Sequence, residues 1–149
     1  MTPVHRKRIP IRWRDMDAYG HVNNAVFLNY LEEARDEMVR RLFGRGEEEF
    51  DYVVARVAID FRLPLRQDDG EVVARCRVGR VGRSSLRTRE EIITGDGRLA
   101  AEAEAVLVAH DRLTGRSRPL TAAERTILTR RGPTIPTGCC ATRPATRCS

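Results

Sequence analysis

Hydrophobic and polar positions along the chain change period several times, and each change marks an element. In residues 8–13 (RIPIRW), Ile9, Ile11 and Trp13 alternate with Arg8, Pro10 and Arg12. A period of two predicts a strand, and Pro10 places it at an edge or at the strand's beginning. A polar turn, DMDAYGHVNN, follows, with Gly20 where the chain bends. From 25 to 43 the period lengthens. Val26, Tyr30, Ala34, Met38 and Leu42 recur at spacing four, with Phe27 and Leu31 beside them. That spacing predicts a helix with a wide apolar stripe. Asn23 or Asn24 serves as its N-cap and Gly44 as its stop.

Period two then returns. Over 52–63, Val53, Ala55, Val57, Ile59, Phe61 and Leu63 fall on one face, with Arg56, Asp60 and Arg62 on the other. Segments 71–81, 84–94 and 98–110 read as three more strands, joined by the short Gly-containing turns GRS and GDGR that antiparallel hairpins require. The small residues Ala101, Ala103 and Ala105 line one face of the last strand and leave room for the helix. Thr121 and Glu124 form a capping-box pattern for a short helix over 121–131. From 132 to 149 the chain has three prolines and no periodicity, and we read it as a disordered tail after a domain spanning 1–131.

This order predicts an α+β fold in which one long helix packs on an antiparallel sheet of four consecutive strands, 52–63, 71–81, 84–94 and 98–110, each linked to the next by a short turn. The second face of the sheet still carries Val54, Val73, Val106 and Val108. A second subunit is the simplest cover for it, so a homo-oligomer is expected.

Composition narrows the function. A chain of 149 residues is the size of one domain. No stretch approaches the roughly 20 apolar residues that span a bilayer. The basic N-terminus lacks an apolar signal core, so a cytoplasmic protein without membrane association is expected. The net charge is +6, but residues 121–149 hold five arginines against the single acid Glu124, and the body is close to balance. Acids interleaved through the body, with only 5% aromatics, do not suit a nucleic-acid surface and fit a small anionic ligand better. Of the four cysteines, Cys76 sits in a strand pattern and reads as a buried hydrophobe, while Cys139, Cys140 and Cys148 lie in the tail. No metal-ligand spacing occurs, and neither a metal nor another cofactor is expected.

The turn into the long helix carries the candidate chemistry. A helix N-terminus offers free N–H groups and a partial positive end, which suit an oxygen that gains negative charge in acyl transfer. The backbone N–H near Asn24 is the candidate for polarising a carbonyl, with a carboxylate on the preceding turn to face it. Asp15, Asp17 and His21 are the titratable groups there.

The string running from Arg12 through Asp15, Asp17, Gly20, His21, Val22, Asn23 and Asn24, then Tyr30 and Arg35 on the helix, resembles the opening of the hotdog-fold acyl-CoA thioesterases, the 4-hydroxybenzoyl-CoA thioesterase-like group. The resemblance continues through IDFRLPLRQDDG, VGRSSL and LAAEAEAVLVAHDRLTGRSRPL. It implies one long helix wrapped by a curved five-stranded antiparallel sheet, in a homodimer or homotetramer with active sites at subunit interfaces. It implies hydrolysis of an acyl-CoA thioester to free acid and CoA, with Asp17 as nucleophile or general base. The HVNN wording is most similar to members acting on fatty acyl groups. Similar wording in acyl-carrier-protein thioesterases leaves the carrier open, and a non-catalytic acyl-binding module is the other reading. The D-x-N-P-x-H string of hydratases is absent. Asp15 is expected to orient the loop, and His21 and Asn23 to contact substrate. Arg62, Arg83, Ser84 and Ser85 are the candidates for the phosphates of CoA, because phosphate favours Arg, hydroxyls and turn N–H groups.

Overall fold

The computed structural model describes residues 3–44 and 50–130. Strands β1 (His5–Pro10), β2 (Tyr52–Phe61), β3 (Glu71–Val81), β4 (Ser85–Thr94), β5 (Leu99–Asp111) and β6 (Arg116–Ser117) accompany helices α1 (Asn24–Phe43) and α2 (Ala122–Thr129). The main sheet is antiparallel with order β1-β3-β4-β5-β2, and β6 pairs with the end of β5. Tyr30, Leu31, Ala34, Met38 and Val39 of α1 are buried against Val72, Ala74, Cys76, Leu86, Ile92, Ala101, Ala105 and Leu107 of the sheet. The architecture is the helix on a curved antiparallel sheet that the sequence implies, with the two-residue β6 added to the five expected strands. The tail over 132–149 and its three cysteines lie outside the described residues.

The helix ends obey local chemistry. The Asn23 side chain accepts from the Ala25 N–H at 2.9 Å, and Gly44 closes the helix at φ 78°. In α2, the Thr121 hydroxyl accepts from Glu124 N–H at 3.1 Å while the Glu124 carboxylate accepts from Thr121 N–H at 2.9 Å.

Four sequence expectations need correction. First, β1 ends at Pro10 and does not run to Trp13. A 3₁₀ turn over Trp13–Asp15 takes over and leaves Trp13 exposed. Proline cannot donate to a ladder, so it suits this last position of an edge strand. Second, β2 does not neighbour β3 but crosses to the far edge beside β5. Third, a bulge between Val54 and Arg56 reverses the alternation of β2. Val54 therefore pairs with inward-facing Leu107, and Val53 pairs with Val108 on the outer face.

Fourth, the outer face of the sheet is not an apolar surface awaiting cover. Arg87 meets Glu104 at 2.6 Å, Arg62 meets Glu102 at 2.5 Å and Arg75 meets Glu91 at 3.6 Å across it. Exposed apolar side chains cluster instead along the edge strand β2, at Val53, Val54 and Phe61, with others singly at Val4, Trp13, Tyr19, Leu28 and Leu113.

The helix is fixed over the sheet by a buried charge pair. Arg35, on α1, donates from Nε and Nη2 to the two carboxylate oxygens of Glu90 on β4 at 2.8 and 2.9 Å. Glu90 Oε1 also accepts from the Thr88 hydroxyl at 2.6 Å. The partner of Arg35 is thus Glu90, 55 residues away in sequence, and not Glu32 or Glu33 on its own helix. Burial alone would lower the Arg35 pKa, and its bonds to Glu90 more than offset this. Burial raises the pKa of the adjacent Cys76 thiol, and the charge of Glu90 raises it further, so this cysteine is the inert core residue expected.

Candidate active site

The polar loop before α1 is built to present one carboxylate and to bury another. Gly20, at φ 74°, lets the chain reverse tightly. The reversal is closed by Asp17 N–H donating to His21 O at 2.7 Å and Gly20 N–H to Asp17 O at 3.2 Å. Asp17 Oδ1 accepts from Tyr19 N–H at 2.9 Å and His21 N–H at 3.2 Å, a local turn bond that fixes the side chain. Its Oδ2 has no hydrogen-bond partner among the described residues.

Asp15 has the opposite environment. It is buried, and its Oδ2 accepts from the Tyr30 hydroxyl at 2.6 Å and from Arg12 N–H at 3.0 Å. Burial opposes ionisation, but the bonds from Tyr30 and Arg12 prevail and hold the carboxyl below the usual range. The Asp15 carbonyl in turn accepts from Asn23 N–H at 2.9 Å. Asp15 therefore ties the second turn of α1, through Tyr30, to the residue that caps its start.

A cleft of about 280 Å³ opens where this loop, the first turn of α1 and the end of β2 meet. Asp17, His21 and Asn24 line it together with Val22, Phe27 and the segment Phe61–Pro64. Of the first N–H groups of α1, that of Ala25 goes to the Asn23 side chain and that of Val26 to Asn23 O. The Asn24 N–H has no acceptor among the described residues. The cleft thus brings together a residue with a free carboxylate oxygen and one with a free helix N–H, beside His21 and Arg62 and the apolar Val22, Phe27, Phe61, Leu63 and Pro64. Phe27 and Phe61 meet edge to face, with ring centroids 5.2 Å apart.

The structure gathers some of the expected residues and separates others. Asp17, Asn24, His21 and Arg62 reach the cleft. Arg62 is held in its ion pair with Glu102, and His21 Nε2 faces Arg66 Nη2 at 3.4 Å, where an arginine can only donate. The Asn23 side chain is used as the helix cap and does not line the cleft. Arg83, Ser84 and Ser85 form the β3–β4 turn and lie beside the far end of β5, where Ser85 pairs with Val108. Phe61 pairs with Ala101 at the near end of β5. The two places are on the order of 20 Å apart along the strand, so one chain does not bring the serine turn to the cleft.

The sequence reading missed Phe27, Phe61, Leu63 and Pro64 as cleft walls. Phe27 follows Asn24 by three residues, which puts both on one helix face, and that spacing is the signal that finds it. The Tyr30–Asp15 bond carried no such local signal.

That bond yields a prediction. Tyr30→Phe should leave the folded helix but cost about 1–3 kcal/mol, because a buried carboxylate loses a donor. Since Asp15 is held below its ordinary value, its contribution is present above the usual carboxylate range and is lost as the pH falls through the depressed value. Denaturant titration of wild type and variant at neutral and acidic pH should show the gap closing on acidification. An equal gap at every pH would contradict the role given to this bond.

The chain is similar in sequence and fold to known proteins. A sequence model of the Thioesterase superfamily matches residues 19–101. The solved thioesterase of Thermus thermophilus, complexed with coenzyme A and zinc, is 40% identical with a TM-score of 0.75, covering 83% of this chain and 90% of that one. The predicted thioesterase of Bacillus stearothermophilus is 26% identical with a TM-score of 0.76, over 85% and 94% of the two chains. The acyl-CoA thioester hydrolase YbgC of Escherichia coli is 27% identical over 80% of this chain and 91% of its own. Among the described residues no cluster of three metal-ligating side chains occurs, and no helix is long and apolar enough to cross a membrane.

Proposed function

Because the chain belongs to the Thioesterase superfamily and is a thioester hydrolase of the hotdog fold, we propose that its substrate is a fatty acyl-CoA, hydrolysed in the cleft between Asp17 and Asn24. The observation that carries this reading is that Asp17, whose Oδ2 has no partner among the described residues, and Asn24, whose N–H has no acceptor there, line the same cleft. The thioester carbonyl oxygen accepts from the Asn24 N–H. Asp17 either removes a proton from the attacking water or attacks the carbonyl carbon itself. Negative charge then builds on the oxygen next to the positive helix end. Collapse of the tetrahedral species breaks the C–S bond and expels the thiolate, which takes up a proton. By the nucleophilic route, water then cleaves the acyl–Asp17 anhydride and restores the carboxylate.

The hydrocarbon preference rests on the cleft walls, where Val22, Phe27, Phe61, Leu63 and Pro64 offer apolar surface. Coenzyme A, as the carrier, suits the mixed loop and arginine surroundings, and a soluble cytoplasmic setting suits both. A panel of acyl-CoA esters of increasing chain length, with an aromatic ester and an acyl-carrier-protein ester beside them, tests the proposal through free-thiol release. Faster turnover of fatty acyl-CoA supports it. Faster turnover of the aromatic or carrier-protein ester would reassign the substrate, and no release from any ester would leave an acyl-binding module.

The working unit in this reading is a homodimer or a higher assembly built on it. Edge strand β2 is ten residues long, carries exposed Val53, Val54 and Phe61, and ends at the cleft. A long apolar edge is a template for strand pairing. Pairing there would cover the cleft mouth and give a second chain access to it, including the distant serine turn. Light scattering should give at least twice the chain mass at micromolar concentration. A stable monomer with full activity would contradict the interfacial site.

A further inference from the structure

The charges on the outer face of the sheet are sorted by strand. The ladder registers align one row across all five main strands: Arg6 on β1, Arg75 on β3, Glu91 on β4, Glu102 on β5 and Asp60 on β2. The next row runs from Arg77 on β3 through Arg89 on β4 and Glu104 on β5 to Ala58 on β2. Each row is positive towards β1 and β3 and negative towards β5, and the first row stays negative to β2. Together they line one shallow concavity of about 550 Å³.

This sorting is unfavourable within a single chain, because like charges directly opposite one another destabilise a ladder. Arg6 opposes Arg75, Arg77 opposes Arg89, and Glu102 stands between Glu91 and Asp60. Ion pairs within the chain relieve part of the cost. Arg75 reaches Glu91 at 3.6 Å, Arg62 reaches Glu102 at 2.5 Å and Arg87 reaches Glu104 at 2.6 Å. The rest is unrelieved. Among the described residues Arg6, Arg89 and Asp60 make no hydrogen bond or ion pair through their side chains, and Arg75 Nε is buried without an acceptor.

We infer that this face docks on the same face of a second copy of the chain. A two-fold contact requires a patch that is complementary to itself. A patch split into a positive and a negative half meets that requirement in one orientation, with the axis lying between the two sheets and parallel to β4. That axis sets β1 over β2 of the second copy and β3 over its β5. Arg6 then faces Asp60 of the partner subunit, and Arg75 faces Glu102 of the partner subunit. β4 lies over its own counterpart, where Arg89 and Glu91 offer both signs to diagonal neighbours. An axis running across the strands would set like charges together. The strands of the two sheets run nearly aligned, a normal packing of twisted sheets. Charge complementarity of this kind fixes orientation more than it adds affinity, and it is screened by salt. The inference rests neither on the proposed substrate nor on pairing along the β2 edge, which leaves this face open.

Charge reversal tests it. Arg6→Glu/Arg75→Glu turns both ends of the first row acidic, and Asp60→Arg/Glu102→Arg turns both ends basic. All four side chains lie on the outer face, so circular dichroism should match the wild type. In sedimentation at micromolar concentration, each variant alone should have half the wild-type mass. An equimolar mixture of the two should recover the wild-type mass, because an acidic face then meets a basic one. Raising the salt to about 1 M, where charges act over about 3 Å, should also halve the wild-type mass. A fall from four chains to two supports the inference and leaves pairing on β2 in place. A fall from two chains to one supports it and counts against the β2 pairing alone. A wild type that is a single chain, variants of unchanged mass, or a mixture that recovers nothing overturns the inference.

Discussion

Asp17→Asn is expected to lower kcat by about 10²- to 10⁴-fold, the range that a positioned general base supplies, and by more if the carboxylate is the nucleophile. The amide oxygen can still accept from the Tyr19 and His21 N–H groups that now reach Oδ1, so the loop should keep its shape. What disappears is the charge at the unpartnered oxygen. Substrate binding should survive, because the cleft walls are untouched and one negative charge is removed near a polyanionic ligand. Asp15→Asn should do the reverse. Its effect should fall mainly on stability, because Asp15 is buried and holds Tyr30 and Arg12. Stopped assays of thiol release, with circular dichroism of each variant, test the pair. If Asp17→Asn keeps more than a tenth of wild-type kcat while Asp15→Asn is dead, the assignment fails.

The second large effect lies in the core. Glu90→Leu or Arg35→Met should destabilise the fold by about 3–5 kcal/mol, because either leaves the other charge buried without its partner. The melting temperature should fall by roughly 10 °C or more. The double replacement Arg35→Met with Glu90→Leu should recover much of that loss, since a buried ion pair adds little over well-packed apolar groups. Thermal melts of the two single variants and the double one decide it. Losses in the single variants that simply add in the double would show that the pair is not coupled. The pair also sets how α1 sits on β4, and so where the Asn24 N–H points. Partial loss of activity below the melting transition is therefore expected in the single variants.

These two sites differ in how much the sequence discloses. The Asp17 site was legible because its parts are local. The carboxylate, the Gly20 reversal, the Asn23 cap and the Asn24 N–H fall within eight residues, and turn and cap chemistry acts over that range. The helix was legible for the same reason, since an apolar period of nearly four belongs to no other element. The Arg35–Glu90 pair was not legible, because 55 residues separate its members and an arginine on a charged helix finds nearer acids on paper. The bulge in β2 was equally hidden. A one-residue insertion in a ladder needs no special residue, yet it moved Val54 to the inner face and Val53 to the outer. The distance between the serine turn and the cleft follows from strand order, because β2 pairs with β5 and not with β3. Hairpin turns read from sequence fix which strands meet, but not where a strand on a longer connection is placed.

A crystal structure of the Asp17→Asn variant with an intact acyl-CoA tests the account most directly. The account predicts the thioester carbonyl oxygen about 2.7–3.1 Å from the Asn24 N–H, and the carbonyl carbon within about 3–3.5 Å of the substituted side chain or of a water held by it. The acyl chain should lie against Phe27 and Phe61. A thioester lodged elsewhere, with the Asn24 N–H facing solvent, would contradict it.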